Sequence, residues 1–216
     1  MSRILRIGAQ AGQVEIKGVV FDMDGTLCLP QTWMFGKMRE TLGIDKSVDI
    51  LDHIYSLEPV EQEAAHERVR AVERDAMVQM TAQPGVHELM DFLETTGVAK
   101  AICTRNFEAP VDHLLTNLLT GRVFEPVVTR TFRPPKPSPA GIQHIAAQWG
   151  VKPNELVMVG DSVDDMLAGR RAGAATVLLS SDVNGHLHSA PETDAVVERL
   201  DDIIGLLKTG LPTASE

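Results

Sequence analysis

Residues 19–26 read VVFDMDGT, an apolar run that ends in two carboxylates, a glycine and a threonine. The predicted strand extends from Val14 to Phe21, and continuous rather than alternating apolarity, as at its end, is typical of a strand covered on both faces. Asp22 and Asp24 follow the strand two residues apart, so both side chains are expected on one side of its end, and Gly25 permits a tight turn. In an open parallel sheet, ligands bind at such strand ends, although an isolated pair of this kind is more often a solvated turn.

Four further apolar runs predict strands, and segments with helical spacing lie among them. The strand candidates are residues 98–103, 127–128, 156–159 and 176–179. The helix candidates, each followed closely by glycine, are residues 86–93, 142–149 and 166–170. Strands that alternate with helices indicate βαβ units. The sequence therefore predicts an α/β fold with a Rossmann-like parallel sheet.

One segment departs from this alternation. Residues 30–83 contain no convincing strand and carry three apolar stripes with helical spacing. An all-helical block after the first strand predicts a small inserted cap domain in an α/β core formed by residues 14–29 and 84–208. Residues 1–13 are predicted to be an N-terminal extension, and residues 209–216 a frayed tail.

Charge and composition exclude several classes of protein. The 216 residues include 20 Lys+Arg and 30 Asp+Glu, a formal net charge of −10, which argues against general binding to nucleic acid. Cys28 and Cys103 are too few for a disulfide scaffold and form no CxxC pair for zinc. No apolar run approaches the ~18 residues of a membrane span. We expect a cytoplasmic protein; the alternative is mitochondrial targeting through a leader that carries Arg3 and Arg6.

A second acidic cluster follows a second strand, where residues 156–165 read LVMVGDSVDD. Asp161 ends the strand, and Asp165 falls on the first turn of the next helix, from which it can face back. Acidic residues at this position commonly cap helices. Two acidic strand ends at one sheet edge would repel each other unless a cation lay between them. Oxygen ligands with few histidines or cysteines nearby indicate Mg²⁺ rather than zinc.

Two further segments offer groups suited to a phosphate. Thr104, Arg105 and Asn106 end a strand with a hydroxyl followed by hydrogen-bond donors. Lys136 lies in the proline-rich loop 133–139, which limits where its charge can point. Alone, such a threonine is commonly a helix cap and such a lysine a solvated charge. Their order along the chain, each near a sheet edge, makes the set specific.

Together, these segments resemble the four motifs of the haloacid dehalogenase superfamily, whose members are mostly phosphatases. The first motif, DxDGT, stands at residues 22–26, the second at Thr104, the third at Lys136-Pro137 and the fourth, GDxxxD, at residues 160–165. The resemblance covers about residues 14–207. The helical insert is similar to the small C1-type cap of that family.

The resemblance implies a mechanism. Asp22 would be the nucleophile that forms an aspartyl-phosphate, and Asp24 would be the general acid and base. Mg²⁺ would be held by the Asp22 carboxylate, the Asp24 backbone carbonyl and Asp161, with Asp165 bound directly or through water. The implied partner is a small phosphorylated metabolite, bound by a monomer or homodimer.

The resemblance also implies which residues hold the phosphate. Thr104 and Lys136 would hold the transferring oxygens, and Lys136 would also anchor Asp22. Four further residues are expected to bind the substrate and its phosphate group: Met23, Gly25, Arg105 and Asn106.

Within the family, the acid at position 24 favours phosphoryl transfer over dehalogenation. A phosphomutase remains open, because phosphatases and mutases use the same pair of acids and differ in the cap. Among the insert residues that could serve a mutase are His53, His66, Lys37 and Lys46, although a histidine on a charged helix is usually a surface residue.

Two alternatives come from other classes of protein. A module that binds Mg²⁺ and phosphate, or a protein partner, would need no general acid, which the chain nevertheless carries. The GDS sequence that contains Ser162 is similar to the start of one group of serine esterases. However, Asp182 and His186 have the wrong spacing for the late Asp-His pair that those enzymes need.

Overall fold

The structure is a computed structural model that describes residues 3–213. The chain divides into two compact units, one formed by Met1–Leu29 and Ala82–Glu216 and the other by Pro30–Thr81. Ala82 and Gln83, which the sequence placed in the insert, lie in the larger unit. The reason is local pairing, because Cys28 forms a bridge with Ala82 and the Gln83 N–H donates to the Leu27 carbonyl at 3.0 Å.

Nine strands and eight α-helices are formed by the described residues. The strands are β1 (Arg3–Arg6), β2 (Val14–Glu15), β3 (Gly18–Phe21), β4 (Ala99–Cys103), β5 (Val127–Val128), β6 (Leu156–Gly160), β7 (Ala175–Leu179), β8 (Ala195–Val197) and β9 (Leu211–Thr213). The helices are α1 (Trp33–Leu42), α2 (Ile50–Ser56), α3 (Pro59–Val78), α4 (Val86–Thr96), α5 (Glu108–His113), α6 (Ala140–Trp149), α7 (Val163–Ala172) and α8 (Asp202–Thr209). A π-helical turn, Leu114–Leu118, continues α5.

The larger unit is built on a six-stranded sheet in the order β5-β4-β3-β6-β7-β8, in which every neighbouring pair runs parallel. All residues of β3 and β6 are buried, as the continuous apolarity of these strands predicts. The predicted α/β fold with a Rossmann-like parallel sheet is confirmed. Because β3 lies between β4 and β6, the carboxyl ends of these three strands meet at one place on the sheet edge.

The first predicted strand, residues 14–21, is in fact two strands in two different sheets. β2 pairs with β1, whereas β3 begins at Gly18 in the large sheet. At the crossing, the Ile16 N–H donates to the Arg6 carbonyl and the Lys17 N–H to the Glu155 carbonyl. Gly18 fits there because a Cβ would overlap the ring of Trp149. Glu15 and Lys17 alternate with apolar residues, whereas residues 18–21 carry no polar side chain, so the change of sheet falls where the sequence pattern changes.

The two chain ends also differ from expectation. β1 lies between β2 and β9 in a second sheet, and Leu5 stands opposite Leu211 with both side chains fully buried. The predicted extension and frayed tail therefore contribute to a folded sheet; residues 214–216 lie outside the described residues. A three-residue edge strand that contains Pro212 gives little strand signal in the sequence.

The smaller unit is entirely helical over its described residues. Its core is formed by α1, α2 and α3 through Met38, Ile50, Ile54, Ala65 and Val72. The outer side of α3 carries exposed ion pairs that are worth about 0–1 kcal/mol each: Arg70–Glu63, Arg70–Glu67 and Arg74–Glu67. Between residues 3 and 213, no helix has both the length and the apolar character that crossing a membrane requires.

We predict that Leu211→Ala lowers the free energy of unfolding by about 2–5 kcal/mol, because it leaves a cavity between buried strands. Urea unfolding followed by circular dichroism measures the change. Ile4→Ala is the matched control, because Ile4 lies on the same sheet with 40% of its surface exposed, so its loss should be much smaller. Equal midpoints of urea unfolding for wild type and Leu211→Ala would contradict the prediction and would show that the strand at the chain end contributes no stability.

Candidate active site

Asp22 lies at the carboxyl end of β3, at the centre of the sheet edge. Its N–H donates to the Val159 carbonyl at 2.9 Å, which extends the pairing with β6 beyond the strand. The residue is 8% exposed. The backbone therefore fixes a largely buried carboxylate between the ends of the two neighbouring strands.

Lys136 joins Asp22 to Asp165. Its Nζ donates to Oδ1 of Asp22 and to Oδ1 of Asp165, both at 2.5 Å. The side chains of Lys136 and Asp165 are 4% and 1% exposed. Burial opposes the charge on Lys136, but Asp165 and Asp22 together outweigh this effect and raise its pKa. The lysine is therefore a buried cation between two carboxylates rather than a solvated loop charge.

Asp161 adds a third carboxylate to this group. Oxygens of Asp22, Asp161 and Asp165 all lie within 4.8 Å of one another. Burial raises the pKa of Asp22 to about 7 despite the attraction of Lys136, and burial followed by repulsion from Asp165 raises the pKa of Asp161 to about 6. Among the described residues, Lys136 is the one cation in contact with this cluster. An all-oxygen cluster short of positive charge fits a hard divalent ion such as Mg²⁺.

Asp165 and Ser162 fasten the first turn of α7. Ser162 donates to Oδ2 of Asp165 through its hydroxyl at 2.6 Å and through its N–H at 3.1 Å, while the Asp165 N–H donates back to the hydroxyl. This is a capping box. Both carboxylate oxygens of Asp165 thus accept hydrogen bonds. The Ser162 hydroxyl caps the helix, whereas a serine nucleophile would need a hydrogen bond to a general base such as histidine.

Asp24 is held outside the carboxylate cluster. Asn106 donates to its Oδ2, and the thiol of the fully buried Cys28 lies 3.7 Å from its Oδ1. Partial burial raises the pKa of Asp24, and the hydrogen bonds from Cys28 and Asn106 offset this only in part. Two carboxylates that lie two residues apart therefore occupy different environments.

The loop after β4 brings Thr104 and Asn106 to the same edge. The Thr104 N–H donates to the Val128 carbonyl at 2.9 Å, and the Thr104 hydroxyl accepts the Asn106 N–H at 3.1 Å. Thr104 is 5% exposed. Arg105, in contrast, points outward and forms an ion pair with Asp164. We expected the Asn106 and Arg105 side chains at a phosphate; in the structure both contact carboxylates.

Gly25 and Met23 shape the turn that carries Asp24. Gly25 has a φ of 80°, and a Cβ there would overlap the Asp161 carboxylate. Its carbonyl accepts the amide of Gln83 at 2.8 Å. Met23 as a whole is 0% exposed, so neither its side chain nor its backbone is open to solvent. Their expected role at the phosphate stays a prediction.

Sequence reasoning missed Gln83 and gave no role to Cys28. Gln83 contacts a residue 58 positions away, and no local pattern marks such a contact. Cys28 lies four residues after Asp24, close enough that the tight turn at Gly25 could have indicated contact.

We predict that Lys136→Met lowers the free energy of unfolding by about 3–5 kcal/mol, because it leaves buried carboxylates without their cation. The measurement is urea unfolding in EDTA. Lys100→Met is the matched control: Lys100 is also buried, but its partner Glu94 is 37% exposed and can be hydrated. Adding Asp22→Asn to Lys136→Met should recover part of the loss. Equal losses in the two single variants would contradict this account.

Comparison with known proteins gives a consistent result. The family profile of haloacid dehalogenase-like hydrolases matches residues 16–173. An uncharacterized hydrolase of Saccharomyces cerevisiae is 48% identical over 204 residues, which covers 91% of this chain and 93% of that protein. A haloacid dehalogenase-like hydrolase domain-containing protein of Arabidopsis thaliana is 36% identical over 214 residues, with 91% and 86% covered.

More distant similarity extends to phosphatases. A phosphoglycolate phosphatase of Pseudomonas fluorescens is 34% identical over 134 residues, 62% of this chain and 48% of that protein. A solved structure from Haemophilus somnus, described as a predicted phosphoglycolate phosphatase, superposes with a TM-score of 0.74 at 19% identity, covering 89% of this chain and 98% of that one. The latter similarity concerns the fold alone. The matched family profile and the two long alignments together show that this chain belongs to the haloacid dehalogenase-like hydrolases.

Proposed function

We propose that this hydrolase is a Mg²⁺-dependent phosphatase that cleaves a small phosphate monoester through an aspartyl-phosphate on Asp22. The observation that carries the proposal is the pair of acids at the end of β3. Asp22 is anchored through one oxygen by buried Lys136, and Asp24 is held apart by Asn106 and Cys28. The phosphatase named among the relatives supports the same reaction class.

In the first half of the reaction, a carboxylate oxygen of Asp22 attacks phosphorus and the bond from phosphorus to the ester oxygen breaks. The departing oxygen takes the proton of Asp24. In the second half, Asp24 takes a proton from a water molecule that attacks the same phosphorus. The bond to Asp22 then breaks, which releases phosphate and restores both residues. The raised pKa of Asp24 suits a group that must first give a proton and then accept one.

Lys136 and Thr104 have supporting roles in this proposal. Lys136 fixes the orientation of Asp22 by holding its Oδ1, so that the other oxygen can face the substrate. The Thr104 hydroxyl already accepts the Asn106 N–H, which leaves its own proton available for a phosphate oxygen.

Asp22 and Asp161 would be the carboxylate ligands of Mg²⁺, together with the Asp24 backbone carbonyl. Asp165 would be an outer ligand, because Lys136 and Ser162 already occupy both of its oxygens. When bound, the ion supplies positive charge that offsets repulsion between the anionic nucleophile and the anionic phosphate. Two like charges at 4 Å repel by about 4 kcal/mol at an effective dielectric constant near 20.

The helical unit Pro30–Thr81 would be the small cap domain that determines substrate specificity. Nothing specific among its described residues favours a mutase. The ring of His66 packs edge-on against Tyr55, and Lys37 pairs with Glu40 at the surface. The phosphatase reaction is therefore preferred. A small phosphorylated metabolite as substrate, a monomer or homodimer and a cytoplasmic location complete the proposal.

The test is hydrolysis of p-nitrophenyl phosphate with Mg²⁺. We predict that Asp22→Asn lowers kcat at least about 10³-fold, as loss of a nucleophile does. EDTA should abolish wild-type activity, and added Mg²⁺ should restore it. The free energy of unfolding should not fall in Asp22→Asn, because the substitution relieves repulsion among buried carboxylates.

Asp182→Asn is the control for loss of one acidic residue, because Asp182 is exposed and has no role in the proposed reaction. It should keep wild-type kcat. An Asp22→Asn enzyme with wild-type activity would refute the role of Asp22. A wild type inactive toward a broad panel of phosphate esters would favour a binding module.

A further inference from the structure

The ion pair between Arg105 and Asp164 connects two loops of the site. Arg105 directly follows Thr104 at the end of β4, and Asp164 directly precedes Asp165 on the first turn of α7. The two side chains are 63% and 26% exposed. Each charge is therefore adjacent in sequence to a residue of the proposed site but is itself open to solvent.

The strand order fixes where this ion pair lies. β3 stands between β4 and β6, and α7 follows β6 directly. A contact from the loop after β4 to the start of α7 must therefore cross the carboxyl end of β3, where Asp22 is located. Lys136 is buried beneath, with 4% of its side chain exposed. The Arg105 guanidinium consequently lies on the solvent side of the nucleophile.

The two cations, Lys136 and Arg105, differ in their depth below the surface. Lys136 is committed to Asp22 and Asp165 and would face the phosphate that is transferred. Arg105, on the exposed side, would face the part of a substrate that extends beyond this phosphate. An exposed ion pair is weak because water competes for both charges, so a ligand anion can replace Asp164. The planar guanidinium matches carboxylate and phosphate groups through paired hydrogen bonds.

We infer that Arg105 selects substrates that carry a second anionic group, a carboxylate or another phosphate, beside the phosphate that is cleaved. The second anionic group of such a substrate displaces the Asp164 carboxylate from the Arg105 guanidinium. A substrate without that group leaves the ion pair between Arg105 and Asp164 intact. Asp164 is thus a built-in competitor, which lowers the affinity for substrates with the second anionic group and so moderates the preference that Arg105 creates. This inference rests on the proposed phosphatase function and specifies its substrate class.

The experiment compares two inhibitors of p-nitrophenyl phosphate hydrolysis at saturating Mg²⁺. Phosphonoacetate carries a second anionic group, and ethylphosphonate of similar size carries none. We expect wild type to bind phosphonoacetate at least about 10-fold more tightly, as charge-assisted paired hydrogen bonds would provide. Arg105→Gln should remove most of this preference, and Arg105→Lys should keep part of it because a point charge remains.

Two further variants test the competitor and the specificity of the effect. Asp164→Asn should increase the preference for phosphonoacetate several-fold, and this gain should vanish when Arg105→Gln is added, because the two residues act as one unit. Arg122→Gln is the matched control: it also removes an arginine from an ion pair, with Asp91 and Glu94, but leaves the loop after β4 intact. Its preference should equal that of wild type.

The outcomes separate this inference from the proposed function. Equal inhibition of wild type by the two compounds, or inhibition by neither, would overturn the role of Arg105. An Arg105→Gln enzyme that weakens both inhibitors equally would assign Arg105 to the transferred phosphate and also overturn it. In both cases, p-nitrophenyl phosphate hydrolysis that depends on Asp22 would leave the phosphatase proposal intact. The phosphatase proposal itself would be refuted by a wild-type enzyme that is inactive toward phosphate esters.

Discussion

The buried ammonium group of Lys136 is the interaction on which the site depends. It joins Asp22, at the end of β3, to Asp165, at the start of α7, and it reaches both from the loop that follows β5. Three carboxylates share this space with one lysine, and burial, followed by repulsion among the carboxylates, raises the pKa of Asp22 and of Asp161. One lysine does not balance three carboxylates, and a cluster of oxygen ligands with this charge is suited to a hard divalent cation.

Two acids that lie two residues apart have different neighbours, as the separate roles proposed for them require. Asp22 has a buried ammonium partner, whereas Asp24 has the amide of Asn106 and the thiol of the buried Cys28. The pKa values of both carboxyls are raised, so what distinguishes the two acids is the partner that each one contacts. Gly25 makes the arrangement possible, since a side chain at this position would occupy the place of the Asp161 carboxylate. The spacing in the sequence thus places the two acids at the end of one strand, and residues distant in the sequence determine the environment of each carboxylate.

The large sheet and the carboxylates at its edge could be predicted because their signals are local: apolar runs, and acids that directly follow them. The second sheet could not, because β1 and β9 are short and pair across almost the whole chain. The split of residues 14–21 into β2 and β3 coincides with a change from alternating to continuous apolarity, a signal too short to predict two strands. The contact between Asn106 and Asp24 spans 82 residues, so it follows from the adjacency of β3 and β4 rather than from any motif.

The most direct test of the account is to locate the phosphoryl group on the protein. p-Nitrophenolate leaves without needing a proton, so Asp24→Asn should still form the covalent intermediate but hydrolyse it slowly. Acid quenching and peptide mapping should then place a hydroxylamine-sensitive phosphoryl group on Asp22, and Asp22→Asn/Asp24→Asn should carry none. A phosphoryl group on any other residue, or its persistence in the double variant, would contradict the account.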